Sequence, residues 1–180
     1  MSLTAGEVYW AIVPCTPATP FRVHVADGAP VEVPTASPII DGLRKSGDAE
    51  FEFIVRAKAR PVLLLSGRRD PRTGDLFALR LLRLKKLSGQ ERQRVEEQRE
   101  QSLFYLPAER FPDLGEGSAA MVTAPIRLHE TALDTRKPLG RLNRKEMRTL
   151  VERFVSYWQF DLRQFLVAQI RELQHRRQAR

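Results

Sequence analysis

A chain of 180 residues is long enough to bury one core without staples, and its single cysteine rules out any disulfide within it. Lys and Arg number 30 against 22 Asp and Glu, a formal charge of +8 carried mostly by Arg, whose planar fork grips phosphate and stacks on bases; the partner this favours is nucleic acid, the plain alternative being a surface that is merely soluble. There is no leader-like start and no stretch near ~18 consecutive apolar residues, so the expectation is a cytoplasmic protein with no membrane segment.

Gly6 to Val13 is aromatic and β-branched and is closed by Pro14, which reads as a core strand leading into a loop. Cys15 follows between prolines with no histidine beside it, a setting that does not activate a thiol. From Phe21 to Val33 apolar and polar residues alternate about Asp27-Gly28, a hairpin that puts His24 on its polar face as an ordinary exposed side chain. Ser37-Pro38 opens a short helical turn through Leu43.

Strands are expected over 50–56 and 60–66, the second a continuous apolar run suited to burial on both faces. Gly67 to Gly74 is a basic, turn-rich loop carrying Arg68 and Arg69. A strand resumes from Asp75 to Leu84, interrupted by Arg80 and Arg83.

Ser88-Gly-Gln-Glu91 is a capping box, and the helix it opens is polar enough to lie on solvent or against a charged partner. Short strands follow at 103–106, 118–123 and, after Pro125, 126–129, about eight strands in all. Asn143 and Glu146 form a second capping box, with Leu142 and Met147 as its hydrophobic staple. Beyond it one apolar face runs from Met147 to Leu173, some thirty residues or about 45 Å of helix, whose far part either packs on the core or pairs with a second subunit. No repeat, Gly-rich phosphate loop, His-x-x-x-His or Cys-x-x-Cys pattern occurs, so neither metal nor cofactor is expected.

Three pieces, in order, resemble the MazF/PemK family of toxin endoribonucleases: the opening strand Gly6-Glu7-Val8-Tyr9-Trp10; the Arg-Pro strand from Arg60 to Ser66; and the stretch from Ala120 to Arg127 leading to Gly140-Arg-Leu-Asn-Arg-Lys-Glu-Met147. The resemblance covers about half the chain and implies an α+β, mainly β fold. It predicts a single SH3-like (MazF/PemK-type) barrel over 1–180, with insertions at about 14–59 and 86–102, the second being the polar helix, and a long C-terminal helix at about 143–176.

What the resemblance implies for function is single-stranded RNA held at a homodimer groove and cut without metal, the 2′-hydroxyl attacking the adjacent phosphate to leave a cyclic phosphate. That reaction needs a base, an acid and an anion stabiliser. Arg60 stands at the family's active-site arginine. The family's Ser or Thr at the end of the next strand has no counterpart in 76–87, where Arg80, Arg83, Lys85 and Lys86 stand instead. Val122 to Pro125 lacks the carboxylate that some members carry there, and His129 and Glu130 are the nearby substitutes. The expected site is therefore Arg60, His129 and Glu130 for catalysis and Arg68, Arg69, Arg80 and Arg83 for RNA, with Tyr9 or Trp10 offering a stacking surface. The missing groups support an alternative, a non-catalytic nucleic-acid-binding or protein-interaction module on the same barrel. An acidic antitoxin-like protein is the further partner that the resemblance adds.

Overall fold

The computed structural model describes residues 3–15, 20–24, 31–35, 37 and 52–158. They are mainly β with two capped α-helices, and the chain divides into two compact units, 1–11 with 61–180 and 12–60. The strands are β1 (Glu7–Pro14), β2 (Phe21–His24), β3 (Val31–Val33), β4 (Glu52–Phe53), β5 (Ala57–Leu64), β6 (Asp75–Arg83), β7 (Leu103–Leu106), β8 (Ser118–His129) and β9 (Gly140–Arg141). They form a six-stranded sheet in the order β7-β8-β6-β5-β1-β9 and a three-stranded sheet in the order β3-β2-β4.

The three-stranded sheet lies in the stretch 12–60. β2 pairs with β3 through Phe21↔Val33 and Val23↔Val31, a register that centres the hairpin on Asp27. The turn itself, and the helical turn beyond Ser37, lie outside the described residues. Of the strand expected over 50–56, residues 50 and 51 lie outside the described residues, and β4 (Glu52–Phe53) pairs with β2.

In the larger unit Val62, Leu63 and Leu64 of β5 are fully buried, the two-sided burial that an uninterrupted apolar run calls for. β6 runs antiparallel to both β5 and β8. β8 is one strand of 12 residues rather than two. Pro125 does not break it because the ladder is irregular there: Leu79 pairs with Pro125 and Leu81 with Ala120, so the proline's missing N–H falls where pairing is already disrupted. The core of this unit is built on Val8, Leu63, Leu79, Leu81, Phe104, Phe111, Val122 and Leu150. β9 closes one edge of the sheet on β1, and Gly140 is needed there because a Cβ would stand 2.5 Å from the Phe111 ring.

The first helix, α1 (Gly89–Glu96), begins as its capping box dictates, Ser88 Oγ accepting the Glu91 N–H at 3.3 Å and Glu91 Oε2 accepting the Ser88 N–H at 3.0 Å. Its one apolar residue, Val95, is fully buried with Leu84 and Ala119, and the remaining faces meet solvent. The second, α2 (Arg144–Tyr157), starts at the Asn143–Glu146 capping box and has Trp158 as C-cap. Trp158 Nε1 donates to the Val122 carbonyl at 3.0 Å. The expected continuation to 176 lies outside the described residues. Among those residues no helix is long and apolar enough to cross a membrane.

Candidate nucleic-acid interface

The start of β6 and the end of β8 meet at the pair Asp75↔His129, and the basic loop of 66–74 folds over that junction. Asp70 organises the loop: its Oδ1 accepts the Arg72 N–H at 2.8 Å and the Thr73 N–H at 3.3 Å, and its carbonyl accepts the Gly74 N–H at 2.8 Å. Gly74 has φ +74, and a Cβ on it would come within 2.6 Å of His129 Nε2, so the imidazole lies directly against the glycine.

His129 caps the turn that follows. Its Nδ1 accepts the Thr131 N–H at 3.3 Å and lies 2.7 Å from Thr131 Oγ1. With Nδ1 accepting, the neutral ring carries its proton on Nε2. Glu130 is engaged as well, accepting from Arg69 Nη1 at 2.7 Å. Next to them Arg127 sends Nε to Asp75 Oδ2 at 2.6 Å and Nη2 to Thr73 Oγ1 at 3.0 Å. The Thr73 hydroxyl, then the charge and hydrogen bond of Arg127, hold the Asp75 carboxyl below its ordinary range.

Opposite Arg127 on the neighbouring strand is Phe77, 57% exposed. It shares the pleat parity of Leu79, which is core, but toward the start of β6 that face is open. An exposed ring on one strand and an arginine directly opposite it on the next offer, between them, a stacking face for a base and a donor for a phosphate.

The structure thus brings three of the expected residues, Arg69, His129 and Glu130, to one end of the sheet, with Arg68 exposed in the same loop. Arg83 is at the other end of β6, paired with Ser118. It lines a pocket of about 310 Å³ with Lys85, Asp113 and Glu116. Six steps along the strand separate it from Phe77, about 20 Å at strand rise. Arg80 lies between them at the irregular point of the ladder, half-buried, with its Nε buried and unbonded. Arg60 is half-buried in the first half of β5, before the fully buried stretch.

Tyr9 is not a stacking surface. It is 5% exposed, and its hydroxyl donates to Glu7 Oε2 at 2.8 Å. Trp10 is half-buried. Among the described residues the exposed ring in this unit's strands is Phe77, which the pattern Leu-Phe-Ala-Leu disguises as core; the signal that it is not is the run of polar turn residues that ends two positions before it, at Asp75. Among the described residues no three His, Cys, Asp or Glu side chains gather as metal ligands would. No family model matches this chain, and no curated protein matches it.

Proposed function

We propose that this protein binds single-stranded RNA in the cytoplasm, at the end of its main sheet, as a divergent MazF/PemK-like protein derived from a toxin, and that binding rather than cleavage is its activity. The observation that carries the reading is the cross-strand pair of exposed Phe77 and Arg127, flanked by Arg68, Arg69 and His129. The ring offers a base a stacking face, and the guanidiniums offer its phosphates forked donors. Their present acid partners are no obstacle, because exposed ion pairs contribute ~0–1 kcal/mol and exchange readily for phosphate.

Binding is preferred over cleavage because the candidate proton-transfer groups are occupied: His129 caps a turn through Nδ1, and Glu130 holds Arg69. Cleavage is the second reading, favoured by the closeness of Arg127 and His129 on alternate residues of β8. The test is end-labelled single-stranded RNA with purified protein in chelator. Wild type should retard the RNA intact, and Phe77→Ala should weaken binding by the ~1–3 kcal/mol that one stacked base contributes, about 5- to 150-fold. Discrete fragments that vanish with Arg127→Ala or His129→Ala would replace the binding reading with a nuclease. Absence of both retardation and cutting would overturn the RNA reading.

A further inference from the structure

A cleft of about 840 Å³ opens between Thr4 and Ala5, the loop at Arg110, and the junction of β9 with α2. It is lined by the apolar Leu142, Met147 and Val151 and by four arginines, Arg110, Arg141, Arg144 and Arg148, with Glu152 as its acidic residue. Such a volume lies within the ~300–1,000 Å³ of small-molecule sites, which are likewise apolar with a few convergent polar groups.

The rim charges do not cancel. Arg110 is bonded to Glu146, and Arg148 Nε to Glu152 Oε1 at 2.8 Å. Arg141 and Arg144, both exposed, make no ion pair among the described residues. Arg110 Nη2 also donates to the Arg141 carbonyl at 3.1 Å, which ties the loop to β9 and steadies that side of the cleft. Among the described residues, two guanidiniums without an ion pair therefore line the cleft together with the apolar Met147 and Val151.

We infer that this cleft binds a phosphate monoester carried on a planar or apolar body, of which a nucleoside 5′-monophosphate is the simplest, with the phosphate between Arg141 and Arg144 and the body over Met147 and Val151. Charge selects the monoester: it carries ~1.5–2 negative charges at neutral pH and so matches two guanidiniums, whereas a carboxylate or an internal phosphodiester leaves one unmatched. Met147 suits the floor, since a flexible thioether adapts to a planar ring. The same phosphate monoester occurs on a free nucleotide and at the 5′ end of an RNA strand. The site uses none of the residues at the β6–β8 junction, so it stands or falls independently of the RNA reading above.

Calorimetric titration of the full chain with adenosine 5′-monophosphate, adenosine, and an oligoribonucleotide with and without a 5′-phosphate tests it. The monophosphate should bind at least about tenfold more tightly than adenosine, and Arg141→Gln and Arg144→Gln should each weaken it roughly ten- to a hundredfold. Arg136→Gln, an exposed change outside the cleft, should leave it unaltered, and circular dichroism checks that each variant is folded. Tighter binding of the oligonucleotide with a 5′-phosphate than of the one without, a difference lost in Arg141→Gln and Arg144→Gln, assigns the site to RNA ends; no such difference, with the mononucleotide still bound, assigns it to free nucleotide. Equal binding of adenosine and its monophosphate, no binding of either, or folded Arg141 and Arg144 variants that bind as wild type would overturn the assignment.

Discussion

Replacing Arg153 with Met tests what joins the polar helix to the rest of its unit. Arg153 is 8% exposed on α2, and its guanidinium donates to the carbonyls of Gln98 at 3.0 Å, Glu100 at 3.1 Å and Leu103 at 2.6 Å, while lying 5.5 Å from the Phe104 ring centre. These bonds hold the segment between α1 and β7, which includes Gln98 in the left-handed region at φ 58, a conformation unfavourable for a residue with a Cβ. Methionine keeps the packing against Phe104 and strands the three carbonyls. A buried carbonyl left unpaired costs ~1–3 kcal/mol, but Gln98, Glu100 and Leu103 are all half-buried, so water recovers part of the loss. Against this stands the desolvation of the guanidinium, strong enough to push its own pKa down, which methionine relieves. The net expectation is a destabilisation of about 2–4 kcal/mol. Urea unfolding reads that loss, and hydrogen exchange localises it: the Val122 amide, bonded to the Ser102 carbonyl at 2.9 Å, should exchange faster. A variant within about 1 kcal/mol of wild type and with unaltered exchange at Val122 would refute the reasoning, because the desolvation would then offset all three bonds.

Ser88→Ala should cost about 1 kcal/mol in a urea melt through loss of the cap on α1, and Ser88→Gly only a few tenths. Gly74→Ala should destabilise by at least ~1–2 kcal/mol from the left-handed backbone alone, and because the new Cβ meets His129 Nε2, a shift of the His129 ring signals in NMR should accompany a loss of RNA affinity. Burial first, and the Glu7 carboxylate second, push the Tyr9 phenol up from 10.0 to about 12. A group whose folded pKa is raised stabilises the fold fully below its unfolded value and loses that contribution as pH rises through the folded one, so stability should fall between pH 10.0 and about 12. Tyr9→Phe should flatten that alkaline loss; an unchanged slope would refute the assignment.

What was legible in the chain was whatever is decided within a few residues. Both capping boxes form as their spacing requires, because Ser88 with Glu91 and Asn143 with Glu146 each complete the motif within one turn. The Phe21–Val33 alternation sets a register centred on Asp27 for the same reason. Features decided by partners far along the chain were not legible. Pro125 reads as a break until the irregular ladder with β6 is known, and β9 is two residues whose glycine answers to Phe111 nearly thirty positions earlier. Arg153 looks like any helix-surface arginine, since nothing local signals that three carbonyls fifty positions away will enclose it.

The same limit governs charge. A surplus of arginine points to a polyanion but cannot say where it binds, because that depends on which guanidiniums the fold neutralises. Arg69, Arg92, Arg110, Arg127, Arg136 and Arg148 each meet a carboxylate, most of them on the protein surface, where such pairs hold their partners weakly. Arg69 and Arg127 therefore remain available to phosphate, but only by exchange, and their binding should be steeply salt-dependent. Among the described residues Arg141 and Arg144 face no such competition and line a cleft with Leu142, Met147 and Val151, so affinity there depends more on the body that the phosphate carries. Two anionic ligands that differ in this respect, a strand of diesters and a single monoester on a ring, should thus separate on one chain by salt dependence alone, the first released by moderate salt and the second retained.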